Sequence, residues 1–317
     1  MAKGVARATP TTPARRRNKA TNFWRLLPFW LPAFVVYSLF IVYPLLSAVS
    51  FSLFSWQGLR REHFVGLENF VTLLTTEPWR TRLWRAFGNN LYFFAGTMLM
   101  QNTVALLFAV LLYNLRRGQR FWQNLFFLPY LLPTVLVGFL WRLMLNPLFG
   151  PVNNGLRALG LEALALPWLG TPETALPSII VVNAWGWLGF PMIIFLANLG
   201  NIPMSYLEAA KLDGASPWQI FARIQLPLLR PSLMIVSVLT FIGNFNAFEL
   251  IFIMAGSSGS PGGATDVLGT FFYRTAFGGA SNAISMGSAL AVLMFCFIAL
   301  ISFIMVALFQ RDKVLYD

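Results

Sequence analysis

Cysteine and histidine are nearly absent from this chain of 317 residues, which has one of each, Cys296 and His63. No disulfide can form within it, and the lone thiol, set in an apolar run, reads as packing. A single histidine near only Glu62 and Glu68 makes neither a metal-ligand cluster nor a His-based hydrolytic triad. Charge is scarce too: 11% of residues are charged, where soluble domains carry about 25%. With 57% of residues hydrophobic, the composition points to a membrane protein before any span is drawn. No Gly-Lys dipeptide occurs, so the phosphate-cradling loop G-x-x-x-x-G-K-[ST] is missing. If ATP drives this protein, another polypeptide binds it. No catalytic residue and no metal site is expected. The net charge of +12 is not that of a nucleic-acid reader, because the basic residues flank apolar runs rather than forming a surface.

What is present is a series of apolar runs, each long enough for the roughly 20 residues a bilayer core requires. Six spans are expected, at about 26–54, 91–113, 121–145, 176–199, 232–254 and 284–309. Residues 1–25, polar and basic, read as a disordered cytoplasmic tail. Residues 310–317 read as a cytoplasmic C-terminal tail. The first apolar run is too long for a signal-peptide core. Of the 23 Lys and Arg residues, the larger share falls on one side if both termini are cytoplasmic, as the positive-inside rule favours. The Gly-rich stretch 256–263 reads as a flexible external turn. The following segment 267–277 is open to two readings, an ordinary loop or an interfacial helix with Phe271, Phe272, Tyr273 and Phe277 at headgroup level.

The longest water-compatible interval of the C-terminal half is 200–231, and within it Tyr206–Pro231 reads as an elbow. A short amphipathic helix, with Glu208 near its start, is stopped by Gly214. Asp213 supplies turn chemistry. Ser216 and Pro217 then suit the N-cap and first position of a second helix, with Trp218, Phe221 and Ile224 on its apolar side. Pro227 and Pro231 interrupt it before the next span.

The same residues carry a resemblance. Glu208-Ala209-Ala210, Gly214, Ile224 and Leu226-Pro227, at their spacings, match the EAA motif of the membrane subunits of bacterial ABC importers. The wider wording, with FVGLENF at 64–70 and the stretch 126–153, is similar to sugar permeases of the maltose and glycerol-phosphate type. The resemblance implies an all-α membrane protein with the type I ABC importer permease fold and a cytoplasmic EAA coupling helix. In such a system Glu208, Ala209, Ala210, Asp213, Gly214, Ile224, Leu226 and Pro227 contact a separate ATPase subunit, which binds ATP-Mg. It also implies a second homologous permease subunit, an extracytoplasmic solute-binding protein, a sugar cargo, and a place in the bacterial cytoplasmic membrane among lipids. An ion-gradient-driven secondary transporter is the rival reading, but it leaves the elbow unexplained and expects internal repeats that are not seen.

Polar side chains inside spans are costly and face the bundle interior or a water-filled cavity. Gln101, Asn102, Asn183, Asn244, Asn246 and Glu249 are the candidates. Asn183 and Trp187 are four apart, as are Phe245 and Glu249, which sets each pair on one face of a continuous helix. Amides, a carboxylate and aromatic faces suit a sugar, so Asn183, Trp187, Asn244, Phe245, Asn246 and Glu249 are the preferred path lining. Helix–helix hydrogen bonding is the competing role for the amides, above all for Gln101 and Asn102. Arg142, within the third span, is a possible basic group in the path, or an interfacial anchor beside Trp141.

Overall fold

The computed structural model describes residues 19–115 and 117–311. Most of the expected N-terminal tail and residues 312–317 of the C-terminal one lie outside the described residues. The chain divides into two compact units, one ending at Ala48 and one beginning at Val49.

In the first unit, α1 (Lys19–Tyr37) starts ahead of the expected span and accommodates Pro28 and Pro32 in its interior. A π turn at Ser38–Val42 leads into α2 (Tyr43–Ser52). The apolar helical stretch Pro28–Ser52 is long enough to cross a bilayer.

The second unit begins at Val49, within the last residues of α2, and continues as a hairpin where the sequence reading has a polar loop. Strands β1 (Phe54–Gln57) and β2 (Arg60–Phe64) pair antiparallel, and α3 (Glu68–Thr75) follows. The Asn69 side-chain amide donates to the carbonyls of Ser52 (2.8 Å) and Phe54 (3.2 Å), fastening the start of α3 to the start of the hairpin. Then α4 (Trp79–Thr97), a π turn at Met98–Asn102 and α5 (Thr103–Tyr113) make one helical run of 35 residues. At 1.5 Å per residue it is about 50 Å long, well beyond a bilayer core of about 30 Å. The helix starts at Trp79, twelve residues ahead of the expected span start at Leu91. Arg80, Arg82 and Arg85 mark a loop by composition, yet Leu83, Ala86, Asn90, Phe93 and Thr97 are buried at helical spacing along one side of the helix.

The expected third span is two helices, α6 (Gln119–Phe127) and α7 (Thr134–Met144), bent by 92° around a 3-10 turn at Leu128–Leu131. Pro133 explains the break, because it lacks an N–H and forces the preceding residue out of the helical region. Leu132 is accordingly extended, at φ −79° and ψ 137°. After α8 (Pro151–Ala158), the fourth span is α9 (Pro172–Trp187) and α10 (Gly189–Gly200), bent by 47°. Gly189 sits at this bend, and a Cβ there would lie 2.7 Å from the Phe127 Cα, so a larger residue would push α10 off α6.

The elbow follows as α11 (Met204–Leu212), α12 (Pro217–Ile220), a π turn and α13 (Leu226–Leu228). It joins α14 (Arg230–Phe245) at a 66° bend. The expected fifth span is interrupted after Phe245 and resumes as the short α15 (Glu249–Ala255). Last come α16 (Leu268–Phe277) and α17 (Ala283–Arg311).

Two regions outside the spans differ from expectation. The Gly-rich stretch is tied down: the Arg274 guanidinium grips Asp266 through both carboxylate oxygens (2.9 and 2.6 Å) and reaches the Ser257 carbonyl. Asn89 donates to the carbonyls of Gly263 (2.9 Å) and Asp266 (2.8 Å). Of the two readings for 267–277 the structure has the helix, over Leu268–Phe277, with Tyr273 and Phe277 exposed; Phe271 departs from expectation, buried in a core with Leu83, Phe241, Phe245 and Met286. A second core joins α5 and α10 to the elbow through Ala109, Phe195, Leu199, Leu207, Ile220 and Leu229. The third packs α7, α9 and α15 through Val137, Ile179, Val182 and Ile251.

Candidate functional site

Two features stand out, a groove on the elbow and a cavity among the spans. In the elbow, α11 ends at Leu212 with Asp213 as its cap, and Gly214 turns left-handed at φ +78°. The Ala215 N–H donates to the Ala210 carbonyl (2.9 Å) and the Gly214 N–H to that of Lys211 (3.1 Å), the paired bonds of a Schellman stop. One residue on, Ser216 and Gln219 form a reciprocal capping box that starts α12, with Pro217 at its first position. The turn therefore satisfies its own backbone at both helix ends. Because α11 begins at Met204, Glu208 is its fifth residue and stands outside the first turn, so the dipole role read for it from the sequence does not hold.

Leu207 and Ile220 face inward and anchor the elbow. Outward, Ala209, Ala210, Asp213, Ile224 and Pro227 line a groove of about 450 Å³ with Tyr206 and Arg223. Of the expected coupling residues, Glu208 and Gly214 are exposed beside it, and Leu226 is half-buried.

The cavity, of about 410 Å³, gathers Asn183 and Trp187 from α9, Asn244 from α14, Asn246 from the break, and Glu249 from α15. Asn183 and Asn244 are buried, whereas Trp187 and Glu249 are open to it. Among the described residues the buried Asn244 Nδ2 has no hydrogen-bond partner, and such an atom is costly to leave unpaired. The backbone at this point is held from behind. The Asn90 amide donates to the Asn244 carbonyl (2.9 Å) and accepts from the Leu268 N–H (2.7 Å).

Phe245 does not join this lining. Its ring is fully buried against Phe241 (4.4 Å between centroids) and Phe87 (5.9 Å). The four-residue spacing from Phe245 to Glu249 defines a shared face only in an unbroken helix, and this helix stops between them. Asn183 and Trp187, with the same spacing in continuous α9, do share the cavity wall.

The neighbouring amides separate in the same way. Gln101 lines the cavity, while Asn102 donates to Thr240 Oγ1 (3.2 Å) and holds α14 to the π turn. Adjacent helical residues point about 100° apart, so one can be lining and the other a strut. Tyr130 and Phe190 were not anticipated. Their rings stack (5.6 Å), and Tyr130 meets Trp187 edge-on (5.3 Å), which builds an aromatic wall. No periodic pattern marks Tyr130, because it lies in the 3-10 turn ahead of Pro133. Arg142 is outside the lining, its guanidinium 3.3 Å from the Ile253 carbonyl. Among the described residues no group of three His, Cys, Asp or Glu could hold a metal ion.

Comparison with known proteins agrees with this architecture. A probable starch degradation products transport system permease protein of Thermoanaerobacterium thermosulfurigenes is 29% identical over 93% of this chain and 98% of its own length. A lactose transport system permease protein of Rhizobium radiobacter is 31% identical, over 85% of this chain and 88% of its own. Among solved structures, a bacterial ABC transporter involved in the import of the acidic polysaccharide alginate matches with a TM-score of 0.79 at 26% identity. That match covers 92% of this chain and 96% of the other. Residues 101–314, which include both the cavity and the elbow, match one family model, and the chain belongs to that family, the binding-protein-dependent transport system inner membrane components.

Proposed function

We propose that this chain is one permease half of an ABC importer that carries a sugar through the cavity, driven by a separate ATPase seated on the elbow. The observation that carries the reading is the elbow itself. It is an exposed turn whose backbone is satisfied internally, anchored by Leu207 and Ile220, with a groove on its outer side. Such a unit moves as a rigid body when pushed, which is what transmitting a closure of ATPase subunits to the spans requires. Glu208, Ala209, Ala210, Asp213, Gly214, Ile224, Leu226 and Pro227 make or support that contact. The small side chains at 209 and 210 permit close approach, and Glu208 offers an anionic contact.

In this reading Asn183, Trp187, Asn244, Asn246 and Glu249 line the sugar path, joined by Gln101, Tyr130 and Phe190. The remaining wall comes from a second permease subunit, and an external binding protein delivers the sugar. Both termini and the elbow lie in the cytoplasm, in keeping with the basic-residue bias. The family's binding-protein-dependent character favours this over an ion-gradient-driven transporter. Two measurements test it. An ATPase carrying the phosphate loop co-purifies with the full chain. In a Cys296→Ser background, Ala215→Cys reacts with an impermeant thiol reagent only from the cytoplasmic side. Labelling from outside overturns the reading.

A further inference from the structure

We infer that the cavity selects against anionic solutes, so that the cargo is an uncharged, hydroxyl-bearing sugar, and that Glu249 sets this preference. The inference rests on the proposal that the cavity is the sugar path, and goes further by naming the charge class it accepts.

Among the described residues the lining contains one carboxylate, Glu249, and no Lys, Arg or His. Arg142, the basic residue of the neighbouring span, is directed at the Ile253 carbonyl and does not reach the cavity. An anion leaving water for such a site needs a cation or several donors to offset its lost hydration. On this chain it meets a negative charge instead. An uncharged sugar meets a matching surface. Each hydroxyl both donates and accepts, so one ring can donate to the Glu249 carboxylate and also pair with the side-chain amides of the lining, Gln101, Asn183 and Asn246. The wall of Tyr130, Trp187 and Phe190 offers π faces to the apolar C–H side of a pyranose.

The test uses the assembled full-chain complex in lipid nanodiscs without the external binding protein, so that the cavity alone discriminates. Equilibrium binding is measured for matched trisaccharide pairs of the gluco, galacto and manno series. The members of each pair differ only in bearing a C6 alcohol or a C6 carboxylate. In each pair that binds, the neutral member is expected to bind roughly tenfold to hundredfold more tightly, the range for like charges about a ring's width apart at an effective dielectric of about 20. Glu249→Gln, which keeps the shape and removes the charge, narrows that ratio to about threefold or less. A uronate that binds the wild type as tightly as its neutral counterpart overturns the inference, as does a ratio unchanged in Glu249→Gln. Failure of every pair to bind overturns instead the assignment of the cavity as a sugar path.

Discussion

The elbow and the cavity are built on opposite terms. Each hydrogen bond that shapes the elbow turn spans five residues or fewer: Ala215 to Ala210, Gly214 to Lys211, Ser216 with Gln219. Its side chains Glu208, Asp213 and Trp218 are exposed. The cavity is assembled from groups far apart in the chain, and Asn90 reaches residues 154 and 178 positions away to hold its back wall. One arm of Asn244 remains unsatisfied there. A region that completes its own bonding can be moved without being remade. A region completed by distant partners changes whenever any of them shifts. This division suits a machine that pushes at one place and opens at another.

Substitutions can break or sharpen that contrast. The largest stability effect is expected from Asn90→Ala, which leaves the buried Leu268 N–H unpaired and takes one donor from the Asn244 carbonyl, which keeps its bond from the Ala247 N–H. It should cost about 1–3 kcal/mol, seen as a lower thermal unfolding midpoint of the purified complex. A loss no greater than that of an elbow variant would remove the distinction between the two regions.

Next is Glu208→Lys. The protein should insert and assemble, but transport in proteoliposomes should fall about tenfold or more relative to ATP hydrolysis, since reversing a charge at a contact costs about 2 kcal/mol or more. Unchanged coupling would count against the elbow as the contact.

Gly214→Ala comes third. Nothing stands within 4 Å of the added Cβ, so the cost is the left-handed backbone alone, about 1–2 kcal/mol. Hydrogen exchange should quicken across 204–220 while the global midpoint holds. A global loss would mean that the elbow is less autonomous than its bonding indicates.

The smallest stability effect belongs to Asn244→Leu. Removing an amide arm that has no partner should leave stability level or raise it by up to about 1 kcal/mol, while transport of a neutral sugar drops. If stability and transport fall together, Asn244 is a structural residue.

How legible each region was in the sequence follows from the same difference. Gly214, Ser216, Pro217 and Gln219 act on neighbours within a few residues, so stop, turn and restart can be read in order along the chain. The membrane class and the approximate places of six apolar runs follow equally directly, because bilayer thickness sets a minimum length. The limits appear wherever a helix carries two kinds of surface or ceases to be one helix. The arginines at 80, 82 and 85 hide the first turns of α4, whose buried face is evident only once the bundle packs against it. Pro133 turns an apparent span through 92° and brings Tyr130 to the cavity, although proline by itself does not say which way the chain goes.

The sequence by itself determined that this is a multi-span membrane chain with a self-capped elbow matching a coupling motif, because hydrophobic length and local capping are properties of contiguous residues. Only the tertiary structure decided that Asn183, Asn244 and Glu249 meet while Phe245 turns into the core, and that Gln101 faces the cavity while Asn102 braces a helix. Helical period says which residues share a face. It does not say where that face points, and it loses its register at the break between Phe245 and Glu249.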